Sequence, residues 1–437
     1  MHGVPRSRST YHISRTDDRA VSEPSVTLFV QTAGGIFLRT VQSATLLREG
    51  KPPGYAAEDA TRDAAAFWGL PDFIFRSAQL AHGTSTREVG DAVVVVGALG
   101  ASVQVKSRPT PTANAARERS WLDKKIAEAA RQGTGTIKTL TSGTGMTLTN
   151  ERGRQVLIKG QDKSWLPITV LDHPGIAGYV PAGPAVVLLR RDWEFLFEQL
   201  KSTYAVIEYL RRVSAKDPVP LGDEIVRYYQ LAAADAGTKP SPLDPRVAEF
   251  GRRWAAPLLP QAPAGHGEMR HHSLLRAVLE DVATAKLPGG VTHADMLDVL
   301  AAIDSAPVAY RQEQGKLWLS WLREVAEASQ GETLWRFRSM FGDDRPYLLF
   351  AASTRHAVWV QDAFGSFVSL RHQEHLELMP ERSALITVGI LLTPRSDKYG
   401  PWDTTLIAVR GEQSLGRDQR TALEGLWGKM GERVVRT

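Results

Sequence analysis

Three side chains interrupt an otherwise apolar pair of strands. In "GDAVVVVGALGASVQVKSR", residues 90–108, Asp91 opens the run AVVVV, and Gln104 and Lys106 break the run that follows a Gly-bounded turn. Side chains alternate across a strand, so Gln104 and Lys106 share one face while Val103 and Val105 take the other. A hairpin through "GALG" brings Asp91, at the entrance of the first strand, toward them. A carboxylate with an amide oxygen begins a site for a hard divalent cation, which takes oxygen ligands. A neighbouring ammonium positions or deprotonates a water, or stabilises charge building on a phosphate. Together these groups are the minimum equipment for metal-assisted phosphodiester hydrolysis. The competing reading is a half-exposed strand that alternates polar and apolar residues for solvation alone. The neighbouring run AVVVV, apolar throughout, reads instead as a central strand buried on both faces.

The elements around this hairpin follow from pattern. "YAAEDATRDAAAFW" (55–68) has helical spacing and is expected to end at "GLP", with "DFIF" (72–75) a short strand. After the Pro-rich "RPTPTAN", Asn114 is an N-cap for the helix "AARERSWLDKKIAEAARQG", with Leu122, Ile126 and Ala129 on one stripe and Gly133 as its stop. "TLTN" and "QVLIKG" form a hairpin around "ERG"; "WLPITVLDH" and "AVVLLRRDW" are further strands, and "WEFLFEQLKSTYAVIEYLRRV" is one long helix. The order gives an α/β core over 26–213. Residues 214–330 read as a helical region with Pro-rich linkers, and 331–437 as a smaller α/β domain with strands "YLLFAAS", "HAVWVQ", "ALITVGILLT" and "TTLIAVR".

Asp91, an apolar strand, and then "QVK" on the next strand resemble the restriction-endonuclease-like PD-(D/E)xK nucleases, in particular the Mrr-type D…QxK branch. In that pattern a Glu-bearing helix comes first, then the Asp, then the QxK strand, then a helix packing on the sheet; residues 55–140 carry the match. The resemblance implies a restriction-endonuclease-like mixed sheet flanked by helices. It makes Asp91 the main metal ligand, Gln104 the ligand replacing the usual acid, Lys106 the catalytic lysine and Glu58 the helix-borne acid. Glu88, three residues before Asp91, is a rival for the second carboxylate, which the neutral Gln104 leaves in demand. "PD" at 71–72 heads a different strand, and Asp72 is set aside as the motif acid. The implied activity is Mg2+- or Mn2+-dependent endonucleolytic hydrolysis of DNA, in restriction of foreign DNA or repair. Paired cuts in double-stranded DNA would favour a homodimer. The alternative is a catalytically inactive module of the same fold that binds nucleic acid or a protein partner.

Charge gives this partner mild support. The net charge is +5 over 437 residues, a small excess for a chain of this length. On the helix after Asn114, Arg117, Arg119, Lys124, Lys125 and Arg131 outnumber Glu118, Asp123 and Glu128. With Arg108, its Arg117, Lys124, Lys125 and Arg131 suit a phosphate backbone, while a solvated mixed-charge face explains the helix equally well. "GTGTIKT" lacks the Gly-Lys-Ser/Thr order of a phosphate loop and reads as a helix stop and turn. "RHQEH" (371–375) reads as structural histidines. With no cysteine there is no disulfide and no thiolate site, as in a reducing cytoplasm. Residues 1–25 are polar and mixed in charge, expected to be disordered, and no stretch reads as a membrane span.

Overall fold

The computed structural model describes residues 26–32, 35–76, 79–82, 85–88, 90–108, 110–237, 259–260, 264–328, 333–342, 345–378, 386–395, 402–412 and 415–428. The expected disorder of 1–25 and most of the Pro-rich linker lie outside them. The chain is mixed α/β in two compact units, one reaching Gly237 and including residues 259–260, the other beginning at Ala264.

The first unit holds the hairpin. Its elements are β1 (Val26–Thr32) and β2 (Gly35–Val41), α1 (Pro53–Trp68), β3 (Ile74–Arg76), β4 (Gln79–His82) and β5 (Ser85–Glu88), β6 (Ala92–Val96), β7 (Leu99–Ser107) and α2 (Ala115–Thr141). There follow β8 (Met146–Thr149), β9 (Gln155–Ile158), β10 (Ser164–Asp172), β11 (Val186–Leu189), α3 (Arg190–Leu200), α4 (Thr203–Ser214) and α5 (Glu224–Gly237). The main sheet has the order β11-β10-β7-β6-β3. β7 is its centre, antiparallel to β6 and parallel to β10, with α2 as the crossover. All five residues of β6 are buried, as are Leu99 through Val105 of β7.

Register decides which helix covers which face. Gln104 lies beside Thr169 and Lys106 beside Leu171; Leu171 packs with Leu122 and Ile126 of α2. The Gln104–Lys106 face is therefore the α2 face. α1 and α4 pack on the other face of β7, and α1 packs on α3, where Trp193 donates its indole N–H to the Thr61 carbonyl at 2.9 Å.

Two helix boundaries depart from expectation. α2 runs through Gly133 to Thr141, so "GTGTIKT" is its last two turns. At Gly133 the helix passes over the sheet, where a Cβ would meet the Pro167 side chain at 3.4 Å, an ordinary van der Waals contact; the glycine sits inside the helix and does not end it. The long helix expected after β11 is broken, because Lys201 takes φ 50° and Ser202 caps a new helix by accepting the Ala205 N–H at 3.0 Å.

The helical region over 214–330 is not a unit of its own. α5 belongs to the first unit. In the second, α6 (His266–Thr284), α7 (His293–Asp304) and α8 (Val308–Glu327) precede β12 (Trp335–Gly342), β13 (Arg345–Ser353), α9 (Val358–Leu378), β14 (Ile386–Pro394), β15 (Trp402–Arg410) and α10 (Arg417–Trp427). The sheet runs β12-β13-β14-β15, with β13 and β14 parallel. Tyr347, Leu349 and Ala351 face Phe364, Phe367 and Val368 of α9; Phe350, pointing the other way, meets Trp318 of α8 edge-on at 5.2 Å. "HAVWVQ", expected as a strand, instead leads into the first turn of α9. A four-residue apolar run, AVWV, carries no period long enough to separate strand from helix.

Candidate functional site

The pairing of β6 and β7 ends at Ala92 opposite Val103, and past that point β7 runs on toward Ser107 paired with β10. Asp91 sits at this opening. Its carboxylate caps the end of the ladder, Oδ2 accepting the Val105 N–H at 2.6 Å. Gly90 before it has φ +74°, a backbone conformation that suits glycine. A Cβ there would stand 2.8 Å from Gln104 Nε2, 3.3 Å from Thr136 Oγ1 and 3.5 Å from Ser102 Oγ. The Gln104 amide thus lies against the Gly90–Asp91 step, and the two residues expected to act together are neighbours.

Gln104 is only 2% exposed. Its Nε2 is buried with no hydrogen-bond partner, and so are Ser102 Oγ beside it and Thr169 Oγ1 across the register. The three occupy one face of β7 and β10, under α2. Lys106, two residues on, is half-buried, and its Nζ stands 3.9 Å from Glu128 Oε1 of α2. Glu128 also accepts from Lys125 at 2.8 Å, and that hydrogen bond, with the surrounding lysines, holds its carboxyl below the usual range.

Glu58 is on α1, across β7 from Gln104 and Lys106. One turn further along the same helix face, Arg62 donates to the Asp91 carbonyl at 3.3 Å, so Glu58 rides on the side of α1 turned toward the start of β6. All four motif residues therefore gather at one end of the sheet, but Glu58 is parted from Gln104 and Lys106 by the strand. Glu88 closes β5; its side chain lies outside the described residues. Asp72, set aside from the motif, is buried and held by Arg152 and Arg154 at 2.7 and 3.0 Å.

Two of the five expected phosphate-binding cations are committed elsewhere. Arg108 pairs with Glu118 at 2.7 Å and lies over the Trp121 ring at 5.3 Å, so it braces α2 instead of facing solvent. Lys125 is held by Glu128. Arg117, Lys124 and Arg131 are exposed.

A polar network at the carboxyl ends of β7 and β10 escaped the sequence reading. Glu118 accepts from the Thr112 N–H and hydroxyl at 2.7 and 2.8 Å. Burial opposes its ionisation, but these bonds, His173 and Arg108 outweigh that and hold its carboxyl at about 2. His173 Nδ1 accepts the Gly175 N–H at 2.9 Å, which leaves Nε2 as the protonated nitrogen, donating to Glu118 at 3.2 Å. The ring, stacked on Trp121, is thereby satisfied as the neutral tautomer with no lone pair left for a substrate proton. Burial pushes its pKa below the usual imidazole value, with Glu118 opposing. On the other face Asp172 accepts from Ser107 and from Arg190, both at 2.8 Å. The only sequence signal was polar residues clustered where "VLDH" leaves its strand and "RRD" opens a helix.

Among the described residues no group of three His, Asp or Glu side chains is placed to share a metal ion, and no helix is long and apolar enough to cross a membrane. Comparison of the chain with protein-family models, curated proteins and solved structures finds no match.

Proposed function

We propose that the chain is a metal-dependent phosphodiester hydrolase acting on DNA, of the restriction-endonuclease-like PD-(D/E)xK kind, with its site at the open end of β6 and β7. The observation that carries this reading is the buried, unsatisfied amide of Gln104 packed against Gly90, with Asp91 next in the chain holding the Val105 N–H and Lys106 next on the Gln104 face. The element order supports it too: α1, the strand opened by Asp91, the Gln104–Lys106 strand, and α2 crossing to a parallel strand follow the family's expected succession.

The donor set suits Mg2+ or Mn2+. Such ions keep several waters and take one or two protein carboxylates together with substrate phosphates. Asp91 is the carboxylate; Gln104 contributes its amide oxygen once the amide is turned over, an exchange of near-identical ends. Glu58 approaches this end of the sheet from the α1 side, parted from Gln104 and Lys106 by β7, and would have to reach around the opening to join them. Bound there, the ion would polarise the phosphate and acidify a water. Lys106, released from the long contact with Glu128, stabilises the charge that builds on the phosphate oxygens.

The second reading, a nucleic-acid-binding module without catalysis, is favoured by the ties that occupy these groups, Asp91 to the Val105 N–H and Lys106 to Glu128. Metal binding separates the two. The Mn2+ electron paramagnetic resonance signal, titrated with protein, is expected to be quenched by wild type and restored in Asp91→Asn with the fold intact by circular dichroism. Equal binding by both proteins, or none by either, rules out the hydrolase site.

A further inference from the structure

The exposed face of α2 carries a row of cations that the interior does not explain. Arg117, Lys124, Arg131 and Lys138 recur at every seventh residue, all are exposed, and none is held in a salt bridge among the described residues. Seven residues are nearly two turns of helix, so the four form one stripe about 32 Å long at 1.5 Å rise per residue. The stripe lies opposite the buried row Leu122, Ile126, Ala129 and Leu140 that fixes the helix to the sheet.

The acids of the same helix do not offset it. Glu118 is turned inward to Arg108 and His173. Glu128 is shared between Lys125 and Lys106. Asp123, though exposed, accepts the Tyr179 hydroxyl at 2.7 Å. A merely solvated face intersperses both signs and pairs them; here the carboxylates are engaged and the cations are left outward. Beside the stripe runs a second exposed row, Ser120, Ala127 and Thr134, also seven apart. These small side chains leave room for a backbone to approach, and the two hydroxyls are donors of the kind that phosphate oxygens accept.

We infer that this face of α2 docks the phosphate backbone of duplex DNA, holding it by charge and without reading bases. A rigid helix fixes the cations in advance, and a duplex fixes its phosphates, so neither partner must be ordered to meet the other. The inference deepens the proposed function by naming its docking surface, and adds Lys138 to the expected cations while removing Arg108 and Lys125.

The test is fluorescence anisotropy of a labelled thirty-base-pair duplex with the full chain over a series of salt concentrations, wild type beside R117Q/K124Q/R131Q/K138Q. Four phosphate contacts make the slope of log K against log salt steeper by about 3.6, and the quadruple variant is expected to lose that increment, with K138Q alone losing about 0.9. All four side chains are exposed, so thermal melts should coincide. No wild-type binding at low salt, or a slope unchanged in the quadruple variant, overturns the inference. A single strand of equal length that competes as well as the duplex overturns the choice of duplex. Stripe-dependent binding without cleavage leaves this surface standing and removes the hydrolase; cleavage that persists unaltered in the quadruple variant does the reverse.

Discussion

The two sheets share a motif and use it differently. In the first unit, antiparallel β6 and β7 are followed by α2 and the parallel β10; in the second, β12 and β13 are followed by α9 and the parallel β14. The interior of β13, Tyr347 to Ala352, is apolar and buried. The hydroxyls of β14 are answered, Thr387 by His372 at 2.7 Å and Thr393 by His356 at 3.1 Å, and Ser353 at the end of β13 is the exception, without a partner. β7 instead sets Ser102, Gln104 and Lys106 along one face, and the first two keep a buried polar atom unsatisfied. Each such group costs about 1–3 kcal/mol. In the second sheet the buried atoms left without a partner, Ser353 Oγ and Arg338 Nη1, lie at the end of β13 and on the edge strand β12, whereas Ser102 and Gln104 place theirs inside the central strand β7.

The comparison is most severely strained by charge. In the second unit Arg311 is buried against Asp304 at 2.8 Å, and Asp304→Ala would strand the guanidinium, destabilising that unit by about 3–5 kcal/mol in urea unfolding. Next, Leu349→Ala at the centre of β13 should cost about 2–5 kcal/mol. By contrast Gln104→Leu, which fills the same volume in β7 and removes an unsatisfied amide, should change stability by less than about 1 kcal/mol while abolishing activity. Loss of stability as great as for Leu349→Ala would show that Gln104 belongs to the core and not to a site.

A smaller effect follows from His173. Its native pKa is depressed, so the unfolded chain takes up a proton near the ordinary value of about 6.5 while the native ring still resists it. Stability is complete above that value and declines as pH falls from it toward the native pKa. Glu118 acts in the same direction lower down, its contribution fading as pH falls from the usual carboxylate range toward about 2. The urea midpoint should therefore drop as pH falls below about 6.5, and the drop should shrink in His173→Gln. The smallest effect is expected for Thr169→Val, near neutral because the hydroxyl it removes has no partner.

What the chain made readable was local. Asn114 caps α2 as expected, its side chain accepting the Arg117 N–H at 3.1 Å, and the turn at "GALG" sets Asp91 beside Gln104 because strand register is short-range. What it hid depends on partners far along the chain. Gly133 reads as a stop, yet it is buried on the sheet-facing side of α2, which runs on to Thr141. Arg108 reads as a phosphate ligand until the fold returns Glu118 and Trp121 against it. His173 and Glu118 lie 55 residues apart, beyond the reach of any spacing rule. The separation of Glu58 from Gln104 and Lys106 by β7 could be seen only once α1 and α2 had been assigned to faces.

We propose that Asp91 and the polar face of β7 cut DNA. Incubation of supercoiled plasmid and linear duplex with wild type in Mg2+ or Mn2+, beside Asp91→Ala and Lys106→Ala, tests it most directly. Metal-dependent nicking or linearisation by wild type, lost in both folded variants, is the expected result. Absence of cleavage by wild type, or cleavage that survives both substitutions, would contradict it.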